Sequence, residues 1–436
     1  MKKIKHFKRI IRKKGFLKNV LTVATGTALA QFITMVFSLF ITRIYGPEQY
    51  GILGVFTSLA VVLMPVVALS YPIAIVLPQK NSEVKKIIKL SFYSIILIST
   101  LTFLLLLLFG DWFRNITNTE LLGSFLLLIP LIMFFDGLLQ IVQQTVIRKK
   151  YFKAKATVAV QQSIITNGSS TLIGLFKPYG IVLILVSVFG KAIYAFSLAL
   201  RVTNLKNLKR FFKYFFNFND IEEVSKVRKK YNDFPRFRAP QVLINGLSES
   251  LPIIILSSFY GPAASGFYVL GKKILEVPTQ LIGNAVGDVF YPRIAEGANR
   301  KERIDKLLIK SNLVLALVGI VPFGTIILIG PELFSLIYGE SWYTAGEYAR
   351  WLSVWIYFML LTRPTIKALP VIGAQKFHLS FTVVSIIIRA TALIMGVYLL
   401  NDDVIAVALY SVAGSFLYLY LCIITIVKTK VYIKNK

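Results

Sequence analysis

Five polar side chains recur at every fourth position between residues 272 and 288: Lys272, Glu276, Gln280, Asn284 and Asp288. On a helix of 3.6 residues per turn this spacing keeps them on one slowly drifting face. Two chemistries suit such a stripe. The ammonium groups of Lys272 and neighbouring Lys273 can hold an anion while the amides bond a polar ligand; alternatively, Lys272 and Glu276 neutralise each other as an intrahelical pair. A charge at the centre of a bilayer costs about 2.5–3.5 kcal/mol on insertion scales, so five polar positions inside a span require a wet cavity or protein partners.

Other apolar stretches carry similar marks. Arg238, Gln241, Asn245 and Glu249 share one helical face, and so do Thr27, Gln31, Thr34, Ser38 and Thr42. Asp136 sits with Gln140, Gln143 and Gln144, while Lys191, Arg363, Lys367 and Arg389 are further cations inside apolar runs. Cations outnumber carboxylates at these positions, which points to an anionic ligand, and the stripes place the first, seventh and eighth spans across a common aqueous path. Bland readings stand beside the functional ones. Lys367 can snorkel to an interface, Arg43 at a span end can be an anchor, and the Ser and Thr hydroxyls can simply bond neighbouring helices. Asp136, Glu249 and Asp288 either neutralise nearby cations or carry a proton or sodium ion.

The elements that must position these residues are membrane spans. Every second gap between apolar runs is crowded with Lys and Arg, as at Lys2–Lys18, Lys80–Lys89, Arg148–Lys155, Arg201–Arg238, Arg293–Lys310, Lys376 and the C-terminal Lys428–Lys436. The gaps between them are short, neutral or acidic, as at Asp111–Glu120, Glu332–Glu347 and Asp402-Asp403. Positive loops stay in the cytoplasm, so twelve spans with both termini inside satisfy every gap. The expected fold class is all-α and polytopic. Of the 436 residues 56% are hydrophobic, and the mean hydropathy of +0.68 exceeds what one soluble core would hold. The net charge of +30 lies beside span ends, where anionic lipid headgroups attract it, so nucleic acid is not the expected partner. Cys422 is the single cysteine, which excludes an internal disulfide and a multi-cysteine metal site. Ala28-Leu29-Ala30 resembles a signal-peptidase site, but Thr22, Thr25 and Thr27 interrupt the apolar core before it and the run continues past it; an uncleaved first span is expected.

The two halves repeat one motif. Tyr45-Gly46-Pro47-x-x-x-Gly51 recurs as Tyr260-Gly261-Pro262-x-x-x-Gly266, and Pro65 and Pro278 follow at similar depth. Six spans separate the copies, so the halves run parallel, a transporter design with the substrate path between lobes. Gly-Pro is also a common tight turn. The expected organisation is an N-terminal lobe over 1–200, a basic cytoplasmic linker over 201–233 and a C-terminal lobe over 234–436.

Nothing supports an enzyme, a cofactor or a metal. Gly266 to Lys273 approaches a phosphate-binding loop, but Lys273 replaces the required Ser or Thr and no strand precedes it. His6 and His378 are the two histidines and lack ligand partners at suitable spacing, and there is no Gly-x-Ser-x-Gly elbow. Asn115-Ile-Thr117 fits a glycosylation acceptor.

Several segments resemble bacterial Wzx-type polysaccharide flippases of the multidrug/oligosaccharidyl-lipid/polysaccharide exporter superfamily. They are Phe16-Leu-Lys-Asn-Val-Leu-Thr, Gly26-Thr-Ala-Leu-Ala-Gln31, the Thr42–Gly51 turn, Ala74-Ile-Val-Leu-Pro78, Tyr231-Asn-Asp-Phe-Pro-Arg236, and Tyr260-Gly-Pro through Gly287-Asp-Val-Phe-Tyr-Pro292. The resemblance implies two six-helix lobes around a central cavity in a bacterial inner membrane. It also implies the cargo, a polyprenyl-diphosphate-linked oligosaccharide repeat unit moved from the cytoplasmic to the outer leaflet for O-antigen or capsule assembly. Expected partners are that lipid-linked oligosaccharide, membrane lipids and other polysaccharide-assembly membrane proteins. Headgroup contact would then fall to Lys272, Lys273, Lys191, Arg363 and Arg389, with Arg43 and Arg238 beside them, and sugar contact to Gln31, Gln280 and Asn284. A cation-coupled multidrug exporter of the same superfamily is the alternative, but it should present carboxylates to cationic cargo. A membrane glycosyltransferase or polymerase would need a catalytic loop, and the longest outer gap, about Gly330–Ala345, is short for one.

Overall fold

The computed structural model describes the backbone of residues 2–117, 120–202, 221–299 and 302–434; side chains at 2–21, 113–117, 120–121, 221, 278, 281–292, 295, 299 and 434 lie outside the described residues. So do most of the linker, over 203–220, and the Asn115 and Thr117 side chains.

The described residues are mostly helical. In order come α1 (Lys2–Leu63), α2 (Asn81–Thr117), α3 (Ile129–Lys149), α4 (Phe152–Gly174), α5 (Gly180–Val202), α6 (Ile221–Lys230) and α7 (Ala239–Tyr260). They are followed by α8 (Pro262–Asn299), α9 (Ile304–Tyr338), α10 (Tyr343–Leu361), α11 (Arg363–Ala368), α12 (Gln375–Met395) and α13 (Asp403–Lys434). Gly46 divides α1 in two, because its φ of 67° and ψ of 174° are not helical. With α1 counted on both sides of that break, and α6 and α11 set aside as short, the described residues hold the twelve long segments expected. Eight of the described helices are long and apolar enough to cross a membrane by length and composition. Their outward faces fit that solvent: Leu313, Leu317, Val321 and Leu328 of α9 are 59–76% exposed and follow helical spacing, as a lipid-facing stripe must.

The chain folds as two compact units, one made of Met1–Tyr45 and Ile52–Ser250, the other of Gly46–Gly51 and Leu251–Lys436. In the first, Leu139 and Val146 of α3, Val158 of α4, and Ala195, Leu198 and Val202 of α5 form a buried cluster. In the second, Ile294, Ala298, Ile304, Leu308 and Ala368 do the same across α8, α9 and α11. The six residues Gly46–Gly51 are a strap: chain on both sides belongs to the first unit, while they pack in the second.

The repeated motif explains how that strap packs. Gly46 and Gly261 both take positive φ, 67° and 83°, which glycine adopts without a Cβ clash. Each hands over to a proline, Pro47 or Pro262, that can start the next helix because the first-turn N–H it lacks would be unpaired anyway. The second glycines then let the two turns meet. A Cβ on Gly51 would lie 1.7 Å from the Pro262 carbonyl oxygen, and one on Gly266 would lie 2.2 Å from that of Pro47. Ser265 fastens the crossing, its hydroxyl donating to the carbonyls of Pro262 at 2.7 Å and Gly51 at 3.3 Å.

After the crossing the repeats diverge. α1 ends at Leu63, two residues before Pro65, as expected where proline removes an N–H and disfavours helix in the residue before it. Leu69 and Ser70 follow in the left-handed region, with φ of 49° and 58°, ahead of a 3-10 turn over Tyr71–Val76. By contrast, α8 stays helical through position 278. Arg148 at the end of α3 clasps the irregular segment, its guanidinium donating to the carbonyls of Ile75 at 3.2 Å and Pro78 at 2.6 Å and to Asn81 Oδ1 at 3.3 Å.

Candidate functional site

In the second unit, α8 brings Lys272, Lys273, Glu276 and Gln280 to one cavity of about 280 Å³. Ile253 of α7 and Val269 and Val277 of α8 supply its apolar wall. The i,i+4 spacing places Lys272 Nζ 3.6 Å from Glu276 Oε1, with the two side chains 12% and 29% exposed. Lys273 takes a neutral partner, donating to the Tyr50 phenol oxygen at 3.3 Å with its Nζ 5.9 Å from the ring centroid. The strap delivers Tyr50, buried and set edge-on against Trp342 at 5.6 Å. Among the described residues, Lys273 has no carboxylate within ion-pair distance. The lining therefore offers two ammonium groups, one carboxylate and an exposed amide, Gln280, against apolar walls. That set can hold a polar anion by charge-assisted hydrogen bonds. Asn284 and Asp288, further along the stripe, lie outside the described residues.

The other expected residues fall elsewhere. Lys191 of α5 donates to Asp136 Oδ1 of α3 at 2.7 Å, within the first unit. Gln140 Nε2 bridges Asp136 Oδ2 at 2.9 Å to the Met64 carbonyl at 2.8 Å, at the break that ends α1. This network ties α3 and α5 to the irregular segment.

Arg389 of α12 is buried in the second unit, its guanidinium 4.8 Å from the Trp355 ring centroid and 5.1 Å from that of Tyr410, and it donates to the Tyr410 hydroxyl at 3.1 Å. Such an aromatic cage compensates a buried guanidinium. Arg363, half-buried at the start of α11, holds its Nε without an acceptor. Arg43 is exposed near the end of the first part of α1; Arg238 is exposed and donates to Gln241 Oε1 at 2.8 Å. Glu249 of α7 is exposed, whereas Gln31 of α1 is half-buried with its Oε1 unbonded. The hydroxyl stripe on α1 is largely satisfied by its own helix: Thr34 donates to the Ala30 carbonyl at 3.0 Å, Ser38 to Met35 at 2.6 Å and Thr42 to Ser38 at 2.7 Å. Among the described residues, no group of three or more His, Cys, Asp or Glu could hold a metal ion.

Sequence reasoning missed three residues at these sites. Tyr50 joins Lys273 across 223 residues, and only its place inside the repeated motif hinted at a role. Trp355 and Tyr410 around Arg389 carry no local signal.

Comparison with solved structures places the fold among polytopic membrane transporters. The chain superposes on the lipid II flippase MurJ in an inward closed conformation with a TM-score of 0.69 at 15% identity, covering 95% of this chain and 90% of that one. A multidrug resistance MATE family transporter of the MOP superfamily in an inward-facing conformation matches with a TM-score of 0.64 at 13% identity, over 95% and 96% of the two chains. A MOP superfamily transporter from Pyrococcus furiosus, described by the reversed polarity of its binding pocket, matches with a TM-score of 0.57 at 11% identity over 96% of both. Within that architecture the chain belongs to the polysaccharide biosynthesis protein family, whose profile matches residues 40–347. The amylovoran biosynthesis protein AmsL of Erwinia amylovora is 24% identical over 104 residues, 24% of this chain and 27% of that protein.

Proposed function

We propose that this chain is a flippase that moves a polyprenyl-diphosphate-linked oligosaccharide repeat unit from the cytoplasmic to the outer leaflet of a bacterial inner membrane, for O-antigen or capsular polysaccharide assembly. Both termini then face the cytoplasm, a placement that the distribution of Lys and Arg supports. The observation that carries the proposal is the pairing of Lys272 and Lys273 in one cavity of α8 with an exposed amide, Gln280, beside them. A diphosphate cannot cross about 30 Å of hydrocarbon unaided, and an ammonium pair in a walled cavity supplies the charge partners it needs. At about 280 Å³ the cavity falls just below the range typical of whole small-molecule sites, roughly 300–1,000 Å³, so it suits a headgroup rather than a complete glycan. An inside-negative potential helps, by about 2.3 kcal/mol per outward-moving negative charge per 100 mV.

The test is translocation in proteoliposomes of a short lipid-linked oligosaccharide loaded in one leaflet, scored by its access to an added glycosidase. Protein-dependent access that is lost on neutralising Lys272 and Lys273 together supports the flippase. Absence of access across several glycan types, with export of a cationic dye by the same folded protein, would replace it with the multidrug-exporter reading.

A further inference from the structure

The cavity contains its own competitor for the lysines. Glu276 lies 3.6 Å from Lys272 Nζ, beyond a direct hydrogen bond and within ion-pair range, while Lys273 rests on a phenol. Among the described residues, only one of the two ammonium groups thus faces a carboxylate. A loose intrahelical pair of this kind is weak, whereas a diphosphate oxygen offers Lys272 a shorter charge-assisted hydrogen bond, so cargo can take the lysine from Glu276.

Building on the flippase reading, we infer that Glu276 is an internal counter-anion: it occupies Lys272 in the unloaded cavity, yields it to the cargo's diphosphate, and retakes it as the cargo leaves. Geometry supports the exchange. Glu276 is one turn from Lys272 on the same helix, so a change of rotamer suffices to leave or rejoin the lysine. Its side chain is more exposed than that of Lys272, 29% against 12%, so the displaced carboxylate reaches water while the lysine stays walled. Energetics give the exchange a use. A site that must release its ligand has to bind it weakly enough to let go, and uniformly tight binding of a ground state slows turnover. A resident carboxylate lowers affinity for the loaded state and stabilises the emptied one, so it accelerates release.

The experiment uses the full-length protein in proteoliposomes and a short-chain isoprenyl diphosphate as the binding probe, with the glycosidase-access assay for turnover. Glu276→Gln is expected to tighten probe binding about tenfold and to slow turnover several-fold, while Glu276→Asp retains most of both wild-type values. In a Lys272→Gln background the Glu276→Gln change should no longer tighten binding, because the lysine it competes for is gone. Unchanged affinity in Glu276→Gln, with binding still dependent on Lys272 and Lys273, would overturn the counter-anion role and leave the headgroup site standing. Tighter binding without slower turnover would also overturn it, reducing Glu276 to a bystander charge. Probe binding indifferent to loss of both lysines would overturn the headgroup site itself. Should Glu276→Gln fail to fold, Glu276→Ala read in the same two assays decides the question.

Discussion

Among the described residues, two lysine–carboxylate pairs lie within apolar helices, and they are built differently. Lys191 and Asp136 come from different helices of the first unit, meet at 2.7 Å and are linked through Gln140 to the Met64 carbonyl. Lys272 and Glu276 share one helix of the second unit, stand 3.6 Å apart and open on a cavity. The first pair forms only when α3, α5 and the end of α1 are in register, so it reports and supports tertiary structure. The second forms wherever the helix forms and can separate without unfolding anything. Similar composition thus gives a tertiary tie between helices in one unit and a separable pair at a cavity in the other.

The contrast is most strongly broken at Gly51. A methyl group there collides with the Pro262 carbonyl and must displace the strap that carries Tyr50. Gly51→Ala is expected to cost about 3 kcal/mol in detergent-solubilised unfolding, at the upper end of overpacking penalties, and to lower probe binding because Lys273 loses its phenol. Lys191→Met tests the first pair directly. Leaving Asp136 unpaired should cost about 2 kcal/mol, less than for a fully buried pair because Lys191 is 35% exposed, while Lys272→Met costs under about 1 kcal/mol in the same assay. Equal losses would erase the distinction between the pairs. Gln140→Leu sharpens it further: removing the bridge leaves the Met64 carbonyl without that donor, for about 1 kcal/mol, seen as faster amide exchange around residues 64–70.

The smallest expected effect is at the short helix α6 of the first unit. Glu223 is ion-paired with Lys86, Lys230 donates to Glu83 at 2.5 Å and Tyr231 donates to the same Glu83 oxygen at 3.0 Å. Hydrogen bonding to Lys86 holds the Glu223 carboxyl below the usual glutamate range, and hydrogen bonding to Glu83 raises the Lys230 ammonium above the usual lysine range. A lowered carboxyl supports docking above its unfolded value and loses that support as pH falls through the folded value; a raised lysine does so below its unfolded value and fails as pH rises through the folded one. Amide protection over residues 221–230 should therefore plateau near neutrality, fall modestly at both extremes, and weaken in high salt.

Much of the fold could be read without coordinates, because lipid imposes it. Apolar length, alternating loop charge and the Tyr-Gly-Pro repeat are local signals, and they anticipated the all-α architecture and its twelve segments. The Lys272–Glu276 spacing was legible for the same reason. Less visible was whether a mid-span cation would be caged, paired or open. Arg389 and Lys191 look alike in sequence, yet one is held between Trp355 and Tyr410 and the other on a carboxylate 55 residues away. Those outcomes depend on which helices neighbour one another, which no local pattern encodes. The repeat misled in one respect: Pro65 and Pro278 occupy similar depths, but α1 stops before the former while α8 continues through the latter.

The strap also has a consequence for synthesis. Ser265 grips the Gly51 carbonyl across 214 residues of sequence. At about 5–20 residues per second, that partner emerges roughly ten to forty seconds after the strap. For that interval the nascent first half has to keep six committed residues without their destination, and a chain arrested before residue 262 never closes this stitch. Closure of the strap therefore waits on synthesis past residue 265, so that an early segment finds its partner only in a later helix.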